Sequence, residues 1–220
     1  MGVMVRRYAN RASPPFQLRL GSELPSLRIL PPSRGKGPAP EPLRLSSDNK
    51  PMADTLDPAL PHEVQDRADE VLALACEKEL MLATAESCTG GLLAALLTDV
   101  PGCSHAFERG FVVYTNEAKA QMLDIALERI ETLGAVSKEI AIEMAHGALR
   151  RSEADVALSI TGFAGPGKAG DEEGEVHFAC ARRNGPTVHR CEHFGAIGRQ
   201  GVRIASLETA LEMLEQALKA

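Results

Sequence analysis

From Pro61 onward the apolar positions fall into a regular order. Val64, Ala68, Val71, Leu72, Ala75 and Cys76 recur at helical spacing, which predicts an amphipathic helix over 61–79. Leu80–Ala85 is an apolar run of strand length, and Leu92–Leu97 is an Ala/Leu-rich run that suits a helix over Gly90–Thr98. Between them lies a polar, hydroxyl-rich turn, Thr84-Ala85-Glu86-Ser87-Cys88-Thr89-Gly90-Gly91. Pro101-Gly102 breaks the chain, and the β-branched and aromatic run Phe111–Tyr114 predicts a strand. Thr115 is placed to cap a helix beginning at Asn116, and Ser137 restarts a helix that runs to about Arg151. Ala154–Ile160 reads as a buried strand, followed by a glycine-rich loop over 162–173. Glu175–Ala181 and Thr187–Phe194 flank Asn184-Gly185, a hairpin signal. Val202, Ala205, Leu207, Ala210, Leu211 and Leu214 stripe a last helix over Arg199–Leu218.

Strands alternate with helices and a hairpin follows, so the predicted class is α/β: a three-layer α/β/α domain with a mixed β-sheet. In such sheets ligands gather outside the carboxyl ends of the strands. If the strands run parallel, the Ser87 turn, the Tyr114–Lys119 turn and the Thr161–Pro166 loop meet at one edge.

The first 51 residues have another character. Prolines and arginines dominate, and no periodicity persists, so the stretch is expected to be a disordered Pro/Arg-rich extension, a leader, or sequence ahead of a true start at Met52. Residues 52–220 are expected to form one domain. Residues 1–51 carry nine Lys/Arg against three acids, and the rest fifteen against 27. An acidic body argues against nucleic acid as the main partner, but it leaves room for a small anion held by a few arginines. No apolar run is long enough to span a bilayer. Five cysteines, widely spaced and without C-x-x-C, argue against a disulfide framework or a zinc site and for a reducing, cytoplasmic setting.

The chemistry centres on the turn. Unpaired N–H groups at a helix start favour an anion or a developing oxyanion, and Ser87 sits beside them. The plainer alternative is that Ser87 and Thr89 only cap the helix. Cys88 is a rival nucleophile, since a helix start would lower its pKa. Tyr114 and Lys119 bracket a strand-to-helix turn, and a lysine held dry beside a serine can act as its base; an isolated lysine is otherwise a solvated one. Gly162–Lys168 fits G-x-x-x-x-G-K, but Ala169 lacks the metal-binding hydroxyl and Asp171-Glu172-Glu173 would repel a triphosphate. The loop either passes its backbone close to a ligand or merely connects two strands. Arg199 and Arg203, four apart, share a helix face suited to phosphate or to solvent. The histidines show no H-E-x-x-H or other ligand cluster; His189 and His193, four apart on a predicted strand, share a face, a weak metal option.

Four stretches then carry a resemblance: Thr84–Gly91, Phe107–Lys119, Gly134-Ala135-Val136-Ser137 and Ser159–Pro166. In order and spacing they resemble the signatures of the CinA carboxy-terminal domain family, which includes nicotinamide-nucleotide amidohydrolases. The resemblance spans about residues 62–219 and implies a three-layer α/β/α fold and hydrolysis of nicotinamide mononucleotide to nicotinate mononucleotide and ammonia. It implies Ser87 as nucleophile, Lys119 as base and Tyr114 as an assisting hydroxyl, without metal or other cofactor. Thr89, Gly90, Thr161, Gly162, Arg199 and Arg203 would contact substrate. A homo-oligomer is expected, with a small nucleotide as the binding partner and neither nucleic acid nor membrane. The chain departs from the pattern at Ala196, where many members carry an acid. A non-catalytic nucleotide-binding module and a hydrolase of another small amide are the alternatives.

Overall fold

The computed structural model describes residues 60–100, 102–103 and 105–220; the extension expected over 1–51 lies outside them. A mixed sheet of five strands runs in the order β2-β1-β3-β4-β5. Strand β1 (Leu82–Glu86) lies parallel to β2 (Phe107–Val112) on one side and to β3 (Val156–Gly162) on the other. Strands β4 (Glu175–Arg182) and β5 (Thr187–His193) form the expected hairpin, antiparallel to β3 and to each other. Helices cover both faces, so the expected three-layer α/β/α arrangement with a mixed sheet is what the chain adopts.

The two faces differ in side-chain size, and the alternation along each strand explains which helices they receive. One face presents Leu82, Leu158, Ile160, Val176 and Phe178 to α1 (His62–Glu77), α2 (Leu92–Thr98) and α6 (Gly198–Lys219). The other presents Ala83, Ala85, Ala157, Ala179 and Ala181, chiefly to α5 (Lys138–Arg150). Small residues let α5 lie close to the sheet, and Ser159 Oγ donates to the Ala141 carbonyl across that gap at 2.6 Å. The same face holds α3 (Asn116–Leu123) and α4 (Leu127–Leu133). Gly147 of α5 faces the carbonyl of Leu123, and a Cβ there would stand 2.4 Å from that oxygen.

Two elements differ from expectation. Strand β2 begins at Phe107, not Phe111. It is an edge strand with Glu108, Arg109 and Gly110 half-buried or exposed, so its polar start carries no apolar signal. Helix α4 was not anticipated; Asp124 in the left-handed region (φ 56°) ends α3, and a new seven-residue helix buries only Ile130.

Gly147→Ala should destabilise the domain by about 1–3 kcal/mol, because the extra methyl forces α5 and the end of α3 apart; urea unfolding measures this as a lower midpoint at unchanged slope.

Candidate active site

Parallel pairing of β1, β2 and β3 brings their carboxyl ends to one edge, and the three loops meet there. The turn after β1 is held by Glu86. Its carboxyl accepts the N–H groups of Gly91 (3.1 Å), Leu93 (3.1 Å) and Ala94 (2.8 Å), with the Thr84 hydroxyl at 3.3 Å. Glu86 is fully buried and serves as the cap of α2 from the strand behind it. Thr89, which was expected to cap this helix, does not: Gly91 occupies the N-cap position at φ 94°, and the Thr89 hydroxyl is buried without a partner among the described residues. A side chain reaching forward from a strand leaves no local sequence signature of capping, so Glu86 escaped notice there.

Ser87 follows at once. Its N–H donates to the Ile160 carbonyl of β3 (3.0 Å), and Gly90 N–H donates back to the Ser87 carbonyl (3.1 Å). The N–H groups of Cys88 and Thr89 are paired to no other residue among those described. Of the turn's donors, these two remain for an oxyanion; those of Gly90 and Gly91 are spent.

Lys119 projects from α3, whose start Thr115 caps by accepting Ala118 N–H at 3.1 Å. Its ammonium group lies 3.1 Å from Ser87 Oγ, 3.0 Å from the Val113 carbonyl and 3.5 Å from that of Tyr114. The side chain is 1% exposed, and no carboxyl group contacts it among the described residues. Tyr114 reaches the lysine only through its backbone; its side chain is 66% exposed and its hydroxyl has no partner among the described residues. Thr161 is buried and donates to the Ala135 carbonyl at 2.7 Å, tying the loop before α5 to β3. Gly162 lies where a Cβ would be 2.7 Å from the Glu175 carbonyl, so strand β4 accounts for that glycine.

The two arginines of α6 close the far side. Arg203 Nε donates to the Cys88 carbonyl at 2.8 Å, and its Nη2 lies beside Gly90, 3.6 Å from where a Cβ would be. The Arg199 guanidinium lies against Gly165, with Nη2 3.0 Å from an ideal Cβ there. Arg199 is exposed and forms no ion pair among the described residues; Ala196, three residues earlier, offers none.

A profile of the CinA C-terminal domain matches residues 64–218. The chain belongs to the CinA C-terminal domain family. A nicotinamide-nucleotide amidohydrolase of Escherichia coli K12, PncC, is 47% identical over 135 residues, covering 60% of this chain and 81% of that protein. A CinA-like protein of Chlorobium phaeobacteroides is 42% identical over 183 residues, 78% of this chain but only 43% of that longer protein. The competence/damage inducible protein CihA of Agrobacterium tumefaciens superposes with a TM-score of 0.70 at 46% identity, over 73% of this chain and 98% of that one.

Within this CinA domain, burial acts oppositely on the two candidate groups. It pushes the Lys119 amine down from the ordinary lysine value, with the neighbouring Cys88 pulling weakly the other way. It pushes the Cys88 thiol up to about 12, against the helix-start expectation and despite Arg203 and Lys119 nearby. A thiol so placed is protonated at neutral pH and is a poor nucleophile.

Glu86→Gln should cost about 1–3 kcal/mol in urea unfolding, since the amide must turn an N–H toward the helix's own donors. Lys119 generates a pH signature. Between its lowered native pKa and about 10.4, its unfolded value, the unfolded chain binds a proton that the native chain does not. This group's contribution therefore rises with pH through that window and is lost as pH falls through the native pKa. Lys119→Met removes the rise, so the stability of wild type minus variant should move toward the wild type as pH is raised from neutral, by up to about 1.4 kcal/mol per pH unit.

Proposed function

We propose that this chain hydrolyses the carboxamide of nicotinamide mononucleotide, releasing ammonia and nicotinate mononucleotide, with Ser87 as nucleophile and Lys119 as its base. The observation that carries the assignment is the buried Lys119 amine 3.1 Å from Ser87 Oγ, with no carboxyl partner among the described residues. A neutral amine has two hydrogens and one lone pair. The Val113 and Tyr114 carbonyls accept the hydrogens, which turns the lone pair toward the serine hydroxyl. The relative named nicotinamide-nucleotide amidohydrolase supports the substrate class.

Lys119 takes the Ser87 proton as Oγ bonds to the amide carbonyl carbon. The N–H groups of Cys88 and Thr89 stabilise the oxyanion. The C–N bond breaks, and the lysine passes its proton to the departing ammonia. Water, deprotonated by the same lysine, then attacks the ester carbonyl; the bond to Ser87 Oγ breaks, the lysine returns the proton to that oxygen, and the carboxylate leaves. The Nη groups of Arg203 and the guanidinium of Arg199 face the nucleotide phosphate, and the Thr89 hydroxyl donates to the substrate. Tyr114, whose side chain is exposed at the rim, is assigned as an assisting hydroxyl. The same reading has the enzyme working in the cytoplasm as a homo-oligomer, with no cofactor in the reaction.

Ammonia release from nicotinamide mononucleotide tests this. Lys119→Ala should lower kcat/KM by about 10²–10⁴, Ser87→Ala should lower it at least as far, and Cys88→Ala should retain turnover. Undiminished turnover in either of the first two overturns the dyad. Saturable nucleotide binding without ammonia release would mark a non-catalytic module, and turnover of free amides alone would redirect the assignment to another substrate.

A further inference from the structure

The β4–β5 hairpin carries a second group of reactive side chains, apart from Ser87 and Lys119. Its register places Glu175 opposite His193, His177 opposite Cys191, and Ala179 opposite His189, all on the sheet face that β4 shares with α5. One donor atom each from Glu175, His177 and Cys191 lie within 4.8 Å of one another. His177 Nε2 is 3.1 Å from Glu175 Oε1 and 3.8 Å from Cys191 Sγ, and His193 Nε2 is 3.6 Å from the same sulfur.

We propose that Glu175, His177, Cys191 and His193 form a binding site for a zinc-type divalent cation that fastens the hairpin to the 163–174 loop. Four ligands around an ion at zinc bond lengths stand about 3.3–3.8 Å from one another in a tetrahedron. Glu175, His177 and Cys191 already stand at such separations, with His177 Nε2 3.1 Å from the carboxyl oxygen and 3.8 Å from the sulfur, while His193 meets the group through the sulfur alone at 3.6 Å and would turn inward as the fourth ligand. The outer nitrogens match as well. His177 Nδ1 lies 3.0 Å from His189 Nε2, and His193 Nδ1 lies 2.8 Å from Glu172 Oε1. Each ligand histidine can therefore hold its proton on Nδ1, donate it outward, and turn a bare Nε2 to the ion, as metal-bound histidines do. In that tautomer His177 Nε2 and the Glu175 oxygen face each other as two acceptors, which an ion between them satisfies; with the proton on Nε2 the histidine donates to Glu175 instead. The mixture of sulfur, imidazole and carboxylate suits zinc better than magnesium or calcium, which prefer oxygen alone. Glu172 belongs to the loop, so the ion would connect β4, β5 and that loop at one point.

This site stands or falls without the amidohydrolase assignment. The full chain, freed of metal by chelator and gel filtration, is titrated with Co²⁺. One equivalent should produce the d–d bands of tetrahedral cobalt and a thiolate-to-cobalt charge-transfer band, and Zn²⁺ should displace both. Cys191→Ser should lose the charge-transfer band, whereas Cys103→Ser should keep it. His177→Ala should weaken binding on the order of 100-fold and Glu172→Gln on the order of 10-fold. Should His177→Ala fail to fold by circular dichroism, His193→Ala at the exposed strand end carries the same expectation. Ser87→Ala should bind cobalt as wild type does. Absence of the charge-transfer band at one equivalent, or equally tight binding by Cys191→Ser, would overturn the proposal and leave a hydrogen-bonded network with a proton where the ion was assigned.

Discussion

The carboxyl group of Glu86 is the constraint on which the site depends. A helix that starts just behind a strand presents unpaired N–H groups to the interior, where water cannot satisfy them. Glu86, the last residue of β1, takes those of Gly91, Leu93 and Ala94. The five residues between carboxyl and helix are thereby forced into a compact loop. Ser87 is pinned to β3 through the Ile160 carbonyl, and Arg203 grips the outside at the Cys88 carbonyl. This also decides where an oxyanion can go. The helix start, which looked like the anion site, is already filled by a side chain. Among the described residues, what remains is the pair of N–H groups at Cys88 and Thr89, directly after the serine.

Low dielectric then sorts the chemistry. Two candidate nucleophiles stand side by side, and the same burial that lowers the Lys119 pKa raises that of Cys88. Burial shifts the lysine toward its neutral form and holds the thiol in its own neutral form, which leaves Cys88 a packing residue. Burying a lysine without a carboxylate is costly, and the chain limits the cost by giving the amine two backbone carbonyls at the end of β2. Those carbonyls attract a proton without adding a full negative charge, which would have restored the lysine to its ordinary range.

How much of this was legible follows from where each signal resides. The helices α1, α5 and α6 and the strand β3 bury continuous stripes, and their periodicity showed in the residues themselves. Ser87 and Lys119 were nameable because each sits at a strand-to-helix junction, and parallel pairing brings such junctions together. The start of β2 was missed because an edge strand needs no apolar residues, and α4 because a single buried Ile130 leaves no stripe. Glu86 was invisible as a cap, since its bonds run to residues five to eight ahead through a turn whose shape they themselves create. The ligand group was hidden differently. Ligands that face each other across a hairpin have no fixed spacing in sequence. Only the register that puts His177 against Cys191 brings them together.

That register also ties the two sites into one architecture. Strand β3 is the pivot: parallel to β1, it sends Thr161 and Gly162 to the edge that holds Ser87; antiparallel to β4, it receives Glu175 and His177 back at the same edge. The connection between them is the 163–174 loop, which lays Gly165 against Arg199 near one end and reaches His193 through Glu172 near the other. Its last residue, Gly174, approaches the backbone of Gly195 so closely that a Cβ would stand 2.4 Å from it, just ahead of α6. An ion on the hairpin would therefore hold one end of the loop whose other end lies against Arg199. Arg199 has no acid at Ala196 beside it, and its guanidinium lies against Gly165 of that loop. Stiffening that loop from the hairpin side would then act on the surroundings of Arg199 with no contact between the metal and Ser87.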